Sequence, residues 1–305
     1  MVGAGGLGGF YGARLLAAGR DVTFLLRPAS AKRMAGEGLR MTSPAGDVTI
    51  AKPPIMTAEE LHEIFDLVIL TCKARDLEDA MDSLAPAMGA ETAILPLLNG
   101  MAHMATLDER FGRGRVLGGA CYISAARDAD GTIRHMGQPD LMEFGDRDEP
   151  DGGRAMAIEA ALAGAGFAVT RMMDIPQSMW EKWSLIATTA GITCLMRAAV
   201  GDIVAAGYAE MAMRLFAENT AILAAEGFPA GDGLLRRADK MYHEKGSTFK
   251  ASMLRDIEAG NPIEAQQIVG DLLDYGRKKG VVTPLLEVVF ANLRCYEERR
   301  NRERV

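Results

Sequence analysis

The chain has 305 residues, 49% hydrophobic and 25% charged, with a net charge of −7, a composition that suits a folded globular protein long enough for two domains with their own cores. The negative balance argues against a nucleic-acid surface, and the basic stretch Arg294 to Arg304 is interspersed with Glu297, Glu298 and Glu303, as on a solvated helix end. No apolar run reaches transmembrane length and no signal-peptide pattern opens the chain, so the expectation is a cytoplasmic protein with no membrane partner.

Four cysteines (Cys72, Cys121, Cys194 and Cys295) and four histidines (His62, His103, His135 and His243) are scattered, with no C-x-x-C pair and no ligand spacing. No metal is expected. The first nine residues read Met1-Val2-Gly3-Ala4-Gly5-Gly6-Leu7-Gly8-Gly9, a G-x-G-x-x-G turn. Gly3 permits a tight strand-to-helix turn, Gly5 lets backbone approach a pyrophosphate, Gly8 lets the helix pack close to a sheet, and the helix N-terminus faces the anion. Gly3, Gly5, Gly6, Leu7 and Gly8 are therefore the expected dinucleotide cradle.

Helically spaced Phe10, Leu15, Leu16 and Ala17 follow, ending at Gly19, and Asp21 to Leu26 reads as a buried strand. Only Met1 and Val2 precede Gly3, so a short first strand is expected, with a stability penalty and weaker cofactor binding. At the end of the second strand, where an acidic residue would accept the ribose hydroxyls of NAD, stands Arg27, with Lys32 and Arg33 close behind. A guanidinium there suits the 2′-phosphate of NADPH.

Strand-like runs at Leu67 to Leu70, Ala93 to Leu95, Val116 to Leu117 and Ala168 to Thr170 alternate with helical stretches, which predicts an α/β fold with a Rossmann-type, doubly wound and mainly parallel sheet. The segment Ala120 to Gly145 reads as antiparallel strands closing the edge of that sheet. Beyond Asp174 strand signals stop, and helical patterns run over Tyr208 to Glu226, Phe249 to Ala259, Pro262 to Lys279 and Leu285 to Glu298. Pro262 is expected in a helix first turn and Gly280 just past a helix end. The expected organisation is a nucleotide-binding domain over 1–174 and an all-helical substrate domain over 175–305, the latter a candidate homodimer surface.

Ligands of open α/β sheets sit beyond the carboxyl ends of the strands, where Lys73 and Asn99 follow apolar runs; the plain alternatives are a surface lysine and a turn residue before Gly100. Lys182 lies in Met179-Trp180-Glu181-Lys182-Trp183. Two flanking tryptophans predict a partly desolvated ammonium suited to proton donation, against the alternative of aromatic packing beside a snorkelling lysine.

With these residues in view, the chain resembles the ketopantoate reductases, NADPH-dependent 2-dehydropantoate 2-reductases of pantothenate biosynthesis. The resemblance covers essentially its whole length. It rests on Gly3 to Gly9, Arg27, Cys72-Lys73-Ala74, Asn99-Gly100, Gly118-Gly119 with Tyr122-Ile123-Ser124-Ala125, Trp180-Glu181-Lys182, Ser252-Met253-Leu254-Arg255-Asp256-Ile257 and Glu264. It implies that Lys182 is the catalytic acid protonating the ketone of a 2-oxo acid substrate, and that Glu264 orients this lysine and the substrate hydroxyl. It also implies that Ser252 binds the substrate carboxylate, that Asn99 lies at both the substrate and the nicotinamide of bound NADPH, and that Lys73 lies near the nicotinamide. One departure stands out: the family's asparagines four and eight residues after the lysine are Ile186 and Ala190 here. An apolar pair cannot satisfy substrate hydroxyls, which predicts a more apolar 2-oxo acid. The alternatives are a hydroxyacid dehydrogenase of the related two-domain group, and a non-catalytic NADPH-binding sensor, against which the joint presence of Lys182, Ser252 and Glu264 argues.

Overall fold

The computed structural model describes residues 1–303; Arg304 and Val305, at the end of the expected second domain, lie outside the described residues. The chain divides into two compact units, Met1–Leu98 with His103–Ser178, and Asn99–Ala102 with Met179–Val305.

The first unit carries strands β1 (Phe24–Leu25), β2 (Leu39–Thr42), β3 (Val48–Ile50), β4 (Ile55–Met56), β5 (Leu67–Leu70), β6 (Ala93–Pro96), β7 (Gly118–Arg127), β8 (Ile133–Gly145) and β9 (Ala168–Arg171). Between them run helices α1 (Gly6–Ala17), α2 (Pro28–Glu37), α3 (Leu77–Leu84), α4 (Ala102–Phe111) and α5 (Gly153–Leu162). The parallel pairs β1–β4 and β5–β6 are joined through Val2, which bridges to Leu25 and to Leu70, and Ile94 bridges to Val116 beyond. The short first strand is thus laddered on both sides: the Val2 N–H donates to the Ile69 carbonyl at 2.8 Å and the Gly3 N–H to that of Leu25 at 3.1 Å. Of the expected strand Asp21 to Leu26, only Phe24–Leu25 is paired.

A second sheet departs from expectation. β7 and β8 are antiparallel as expected, yet they do not close the parallel sheet; they form a five-stranded sheet with β2, β3 and β9. β8 is 13 residues long, so one of its edges pairs with β2 at Ile133 and Arg134 and with β9 from Leu141 to Phe144. The run Ala168 to Thr170 therefore belongs to this sheet, not to the parallel one. Helix α1 packs tightly against both: a Cβ on Gly12 would overlap the Phe24 ring, and one on Gly9 would come within 2.5 Å of the Ile133 side chain. Phe10, Tyr11, Leu15, Phe24, Met41 and Phe144 share one buried cluster around it.

The second unit is helical: α6 (Ile175–Met196, whose first turn groups with the first unit), α7 (Val200–Ala205), α8 (Ala209–Ala225), α9 (Asp232–Tyr242), α10 (Ser252–Glu258), α11 (Asp271–Lys278) and α12 (Pro284–Glu303). Trp183, Leu215, Leu254, Leu272, Leu286 and Leu293 belong to its core. Gly280 follows α11 at φ +70°, as its place past a helix end requires. Pro262 does not start a helix. The Asn261 N–H returns to the Asp256 carbonyl at 2.7 Å to close α10, the chain then runs without helix to Glu264, and a π-helical turn, Gln266–Gly270, leads into α11.

Helix α6 is 22 residues long and buried nearly all round, so it offers no amphipathic stripe to a sequence reading. Its inner polar groups are satisfied locally. Thr188, Thr189 and Thr193 hydroxyls each donate to the carbonyl four residues back, Asn219 Nδ2 donates to Thr188 Oγ1 at 2.8 Å, and the Tyr242 hydroxyl meets Thr189 Oγ1 at 2.9 Å. Among the described residues no helix is long and apolar enough to cross a membrane.

Candidate active site

In the first unit, Gly3 holds φ +89° between Val2 and α1, a left-handed conformation that favours glycine. A Cβ on Gly8 would collide with the Gly3 carbonyl and the Thr71 hydroxyl, so glycine there lets the helix descend onto the strand ends. The Thr71 hydroxyl donates to the Val2 carbonyl at 2.8 Å and fixes the turn from the neighbouring strand. Gly5 is the N-cap of α1, has no side chain to satisfy the first-turn amides, and opens onto free space. These uncapped amides at a positive helix end, in an open cradle, fit a pyrophosphate. Gly6 is different: a Cβ there would lie 2.5 Å from the Ala125 carbonyl, so β7 covers that side of the turn. Leu7 is half-buried against the core beside it.

Arg27 follows β1, the strand expected before it, and is the N-cap of α2. Its guanidinium is already engaged, donating to Asp76 Oδ1 at 2.8 Å and Asp79 Oδ2 at 3.1 Å while remaining largely exposed. Hydrogen bonding to Asp76, and then its charge, raise the Arg27 pKa above the ordinary value. Lys73, half-buried, opens the 3₁₀ turn Ala74–Asp76 that presents Asp76, its carbonyl accepting the Asp76 N–H at 2.9 Å. The two acids were not marked by any spacing in the sequence.

In the second unit, Lys182 is 6% exposed and its Nζ donates to Asn99 Oδ1 at 3.2 Å. Two residues 83 positions apart thus form one polar pair. The tryptophans do not flank the lysine in space. Trp180 and Trp183, three residues apart, share a helix face, while Lys182 is turned about 100° from Trp183. Their rings pack on one another at 5.3 Å and against Phe228 and Tyr275. Ser252, exposed, is the first residue of α10, and Glu264, half-buried, stands just before the π turn; neither is hydrogen-bonded to Lys182 among the described residues. Ile186 and Ala190 continue the Lys182 face of α6 at one and two turns, both packed with the hydrophobic core.

The chain has known counterparts. The model of "Ketopantoate reductase PanE/ApbA" matches residues 1–149, and that of its C-terminal domain matches residues 174–297. The chain belongs to the ketopantoate reductase family. It is 35% identical to the "uncharacterized oxidoreductase YkpB" of Bacillus subtilis (strain 168), over 97% of this chain and 98% of that one. A solved 2-dehydropantoate 2-reductase from Geobacter metallireducens GS-15 is 30% identical with a TM-score of 0.86, covering 96% of this chain and 97% of that one. A D-mandelate dehydrogenase solved with NADH and anilino(oxo)acetate shares the fold at 21% identity and a TM-score of 0.88, covering 99% of this chain and all of that one (100%). Membership of the ketopantoate reductase family makes the protein an oxidoreductase.

Proposed function

We propose that the protein reduces a 2-oxo acid to the 2-hydroxy acid with NADPH, ketopantoate or a more apolar relative being the substrate and Lys182 the proton donor. The observation that carries this reading is the buried Lys182 whose ammonium is held by Asn99 at 3.2 Å. An aimed ammonium can protonate an oxygen on which negative charge develops. Asn99, as acceptor, fixes the direction of one N–H bond and leaves others for the ketone oxygen. Glu264, half-buried beside the π turn, is assigned the orientation of the lysine and the substrate, and Ser252, at the head of α10, the carboxylate.

NADPH, when bound, supplies the hydride. The residues assigned to hold it are the amides of Gly5, Gly6, Leu7 and Gly8 at the pyrophosphate, Lys73 and Asn99 toward the nicotinamide, and Arg27 at the 2′-phosphate. Ile186 and Ala190 present methyl groups where hydroxyl-binding amides would favour ketopantoate, so the preferred side chain is apolar.

The test is NADPH oxidation with ketopantoate and a panel of 2-oxo acids lacking its hydroxyl, with Lys182→Ala alongside. The expected result is turnover that favours the deoxygenated acids and falls about a thousandfold in kcat on removal of the lysine, with NADPH affinity unchanged. Lysine-independent turnover overturns the assignment of the acid. A strong preference for ketopantoate overturns the apolar specificity.

A further inference from the structure

The three groups assigned to the chemistry in the second unit, Lys182, Asn99 and Glu264, are far apart in sequence, and the residue after each of the first two, with the carbonyl of the third, meets one five-residue turn. The turn Gln266–Gly270 is π-helical, a register rare enough inside helices that it often marks a functional site. Its carbonyls are what the neighbours touch. The indole N–H of Trp183, next to Lys182, donates to the Ile268 carbonyl at 2.9 Å in a fully buried bond. Gly100, next to Asn99, sits at φ +79° so close to the Gln267 carbonyl that a Cβ would come within 2.5 Å of it. The Glu264 carbonyl accepts the Ile268 N–H at 3.1 Å, so Glu264 begins the turn itself.

The turn is in turn clipped in place. Gln266 Nε2 donates to Asp271 Oδ1 at 2.9 Å, and Gly270 leaves room for the Gln266 amide and the Phe290 ring, both of which would stand 2.7 Å from a Cβ there. Trp183 thus supplies a side-chain donor to the Ile268 carbonyl inside the turn, and removing one partner of a buried hydrogen bond costs free energy. A phenyl ring could share the contacts of Trp183 with Trp180 and Tyr275 but would not donate to the Ile268 carbonyl.

We infer that Trp183 is a positioning residue, which through its N–H bond to Ile268 and the shared π turn holds the Lys182–Asn99 pair in its reactive geometry. This rests on the reductase reading for its kinetic consequence but not for its structural one. The experiment therefore has two arms on the full chain. In the first, Trp183→Phe and Gly100→Ala are made singly and together, with folding followed by circular dichroism and Tm, and NADPH affinity by fluorescence. The expected result is that each single change lowers kcat about tenfold with KM and NADPH affinity within about twofold, and displaces the pH profile of kcat. Because both act through one turn, the double variant should lose much less than the product of the two losses.

In the second arm, acylation of Lys182 by an amine reagent is read by peptide mass spectrometry without substrate. Trp183→Phe should raise labelling of Lys182 several-fold while leaving exposed Lys240 unchanged. Unchanged labelling in a folded variant, or losses that simply multiply, overturns the positioning role. Wild-type protein that turns over no 2-oxo acid while Trp183→Phe still exposes Lys182 overturns only the reductase reading.

Discussion

In the first unit the candidate site is built from backbone, and in the second from side chains. The cradle proposed at α1 depends on Gly3, Gly5 and Gly8 having none: the turn, the uncapped amides and the close approach to Thr71 all follow from missing Cβ atoms. The proposed lysine site is built the other way, with a buried ammonium held by an amide oxygen, while the indole of the following residue donates to a buried carbonyl. A backbone site tolerates change in neighbouring side chains and fails when bulk is added. A side-chain site fails when one polar atom is removed.

The comparison is broken most directly by adding a single methyl group. Gly8→Ala drives a Cβ into the Gly3 carbonyl and Thr71, with an expected destabilisation of about 2–3 kcal/mol and a loss of NADPH affinity of more than about tenfold. Thermal unfolding and fluorescence titration measure both, while kcat at saturating cofactor should be nearly intact. If kcat falls and affinity holds, the cradle is not where the dinucleotide is recognised.

The second unit should show the opposite sensitivity. Thr188→Val keeps the volume and removes one oxygen, stranding the buried Asn219 amide that donates to it at 2.8 Å; a loss of about 1–2 kcal/mol in unfolding free energy is expected. A Thr188→Val, Asn219→Leu pair should recover part of it, since no amide is then left unpaired.

Arg27 sharpens the contrast, because it is a charged side chain assigned to the cofactor's 2′-phosphate and it is already spoken for. Asp76 and Asp79 compete with any phosphate for its donors. Replacing both with asparagine should strengthen NADPH binding about three- to tenfold and leave NADH unchanged, the gain shrinking as salt rises. Equal effects on both cofactors would remove Arg27 from the 2′-phosphate.

The smallest expected effect is on acid stability, and it too belongs to the first unit. Burial pushes the Asp146 carboxyl up, but the Arg154 guanidinium and the amides of Asp148 and Glu149 outweigh it and hold the group below the usual range. A depressed folded value means the stability is present above the unfolded carboxylate pKa and is lost as pH falls through the folded one. Urea unfolding of Asp146→Asn should therefore show a shallower decline than wild type below about pH 4.

Some of this was legible without coordinates because the signal is local. The glycine turn, the helix that follows, Arg27 after the strand, the β7–β8 hairpin and Lys182 among apolar residues all carry their meaning within a few neighbours. What the residues alone did not show are choices among distant partners. Short strands announce themselves but not which sheet they join: the pattern alone suggests the parallel sheet for the hairpin and β9, whereas β8, by its length, gathers them with β2 and β3. A helix buried all round shows no periodicity, so the whole of α6 was read through Lys182 and its neighbours. Pro262 suggested a helix start that the closure of α10 on Asn261 displaced.

By itself, then, the sequence determined the chemistry available: backbone amides free to meet an anion, an ammonium, an amide, and apolar Ile186 and Ala190 where polar groups would suit a hydroxylated substrate. Only the tertiary structure decided that Asn99 is the partner of Lys182, that Arg27 is shared with two acids, and that the tryptophans pack away from the lysine. The physical reason is that hydrogen bonds between residues 49 or 83 positions apart depend on how the intervening chain is packed. A π turn in particular is a register held by its neighbours rather than by the propensity of its own residues.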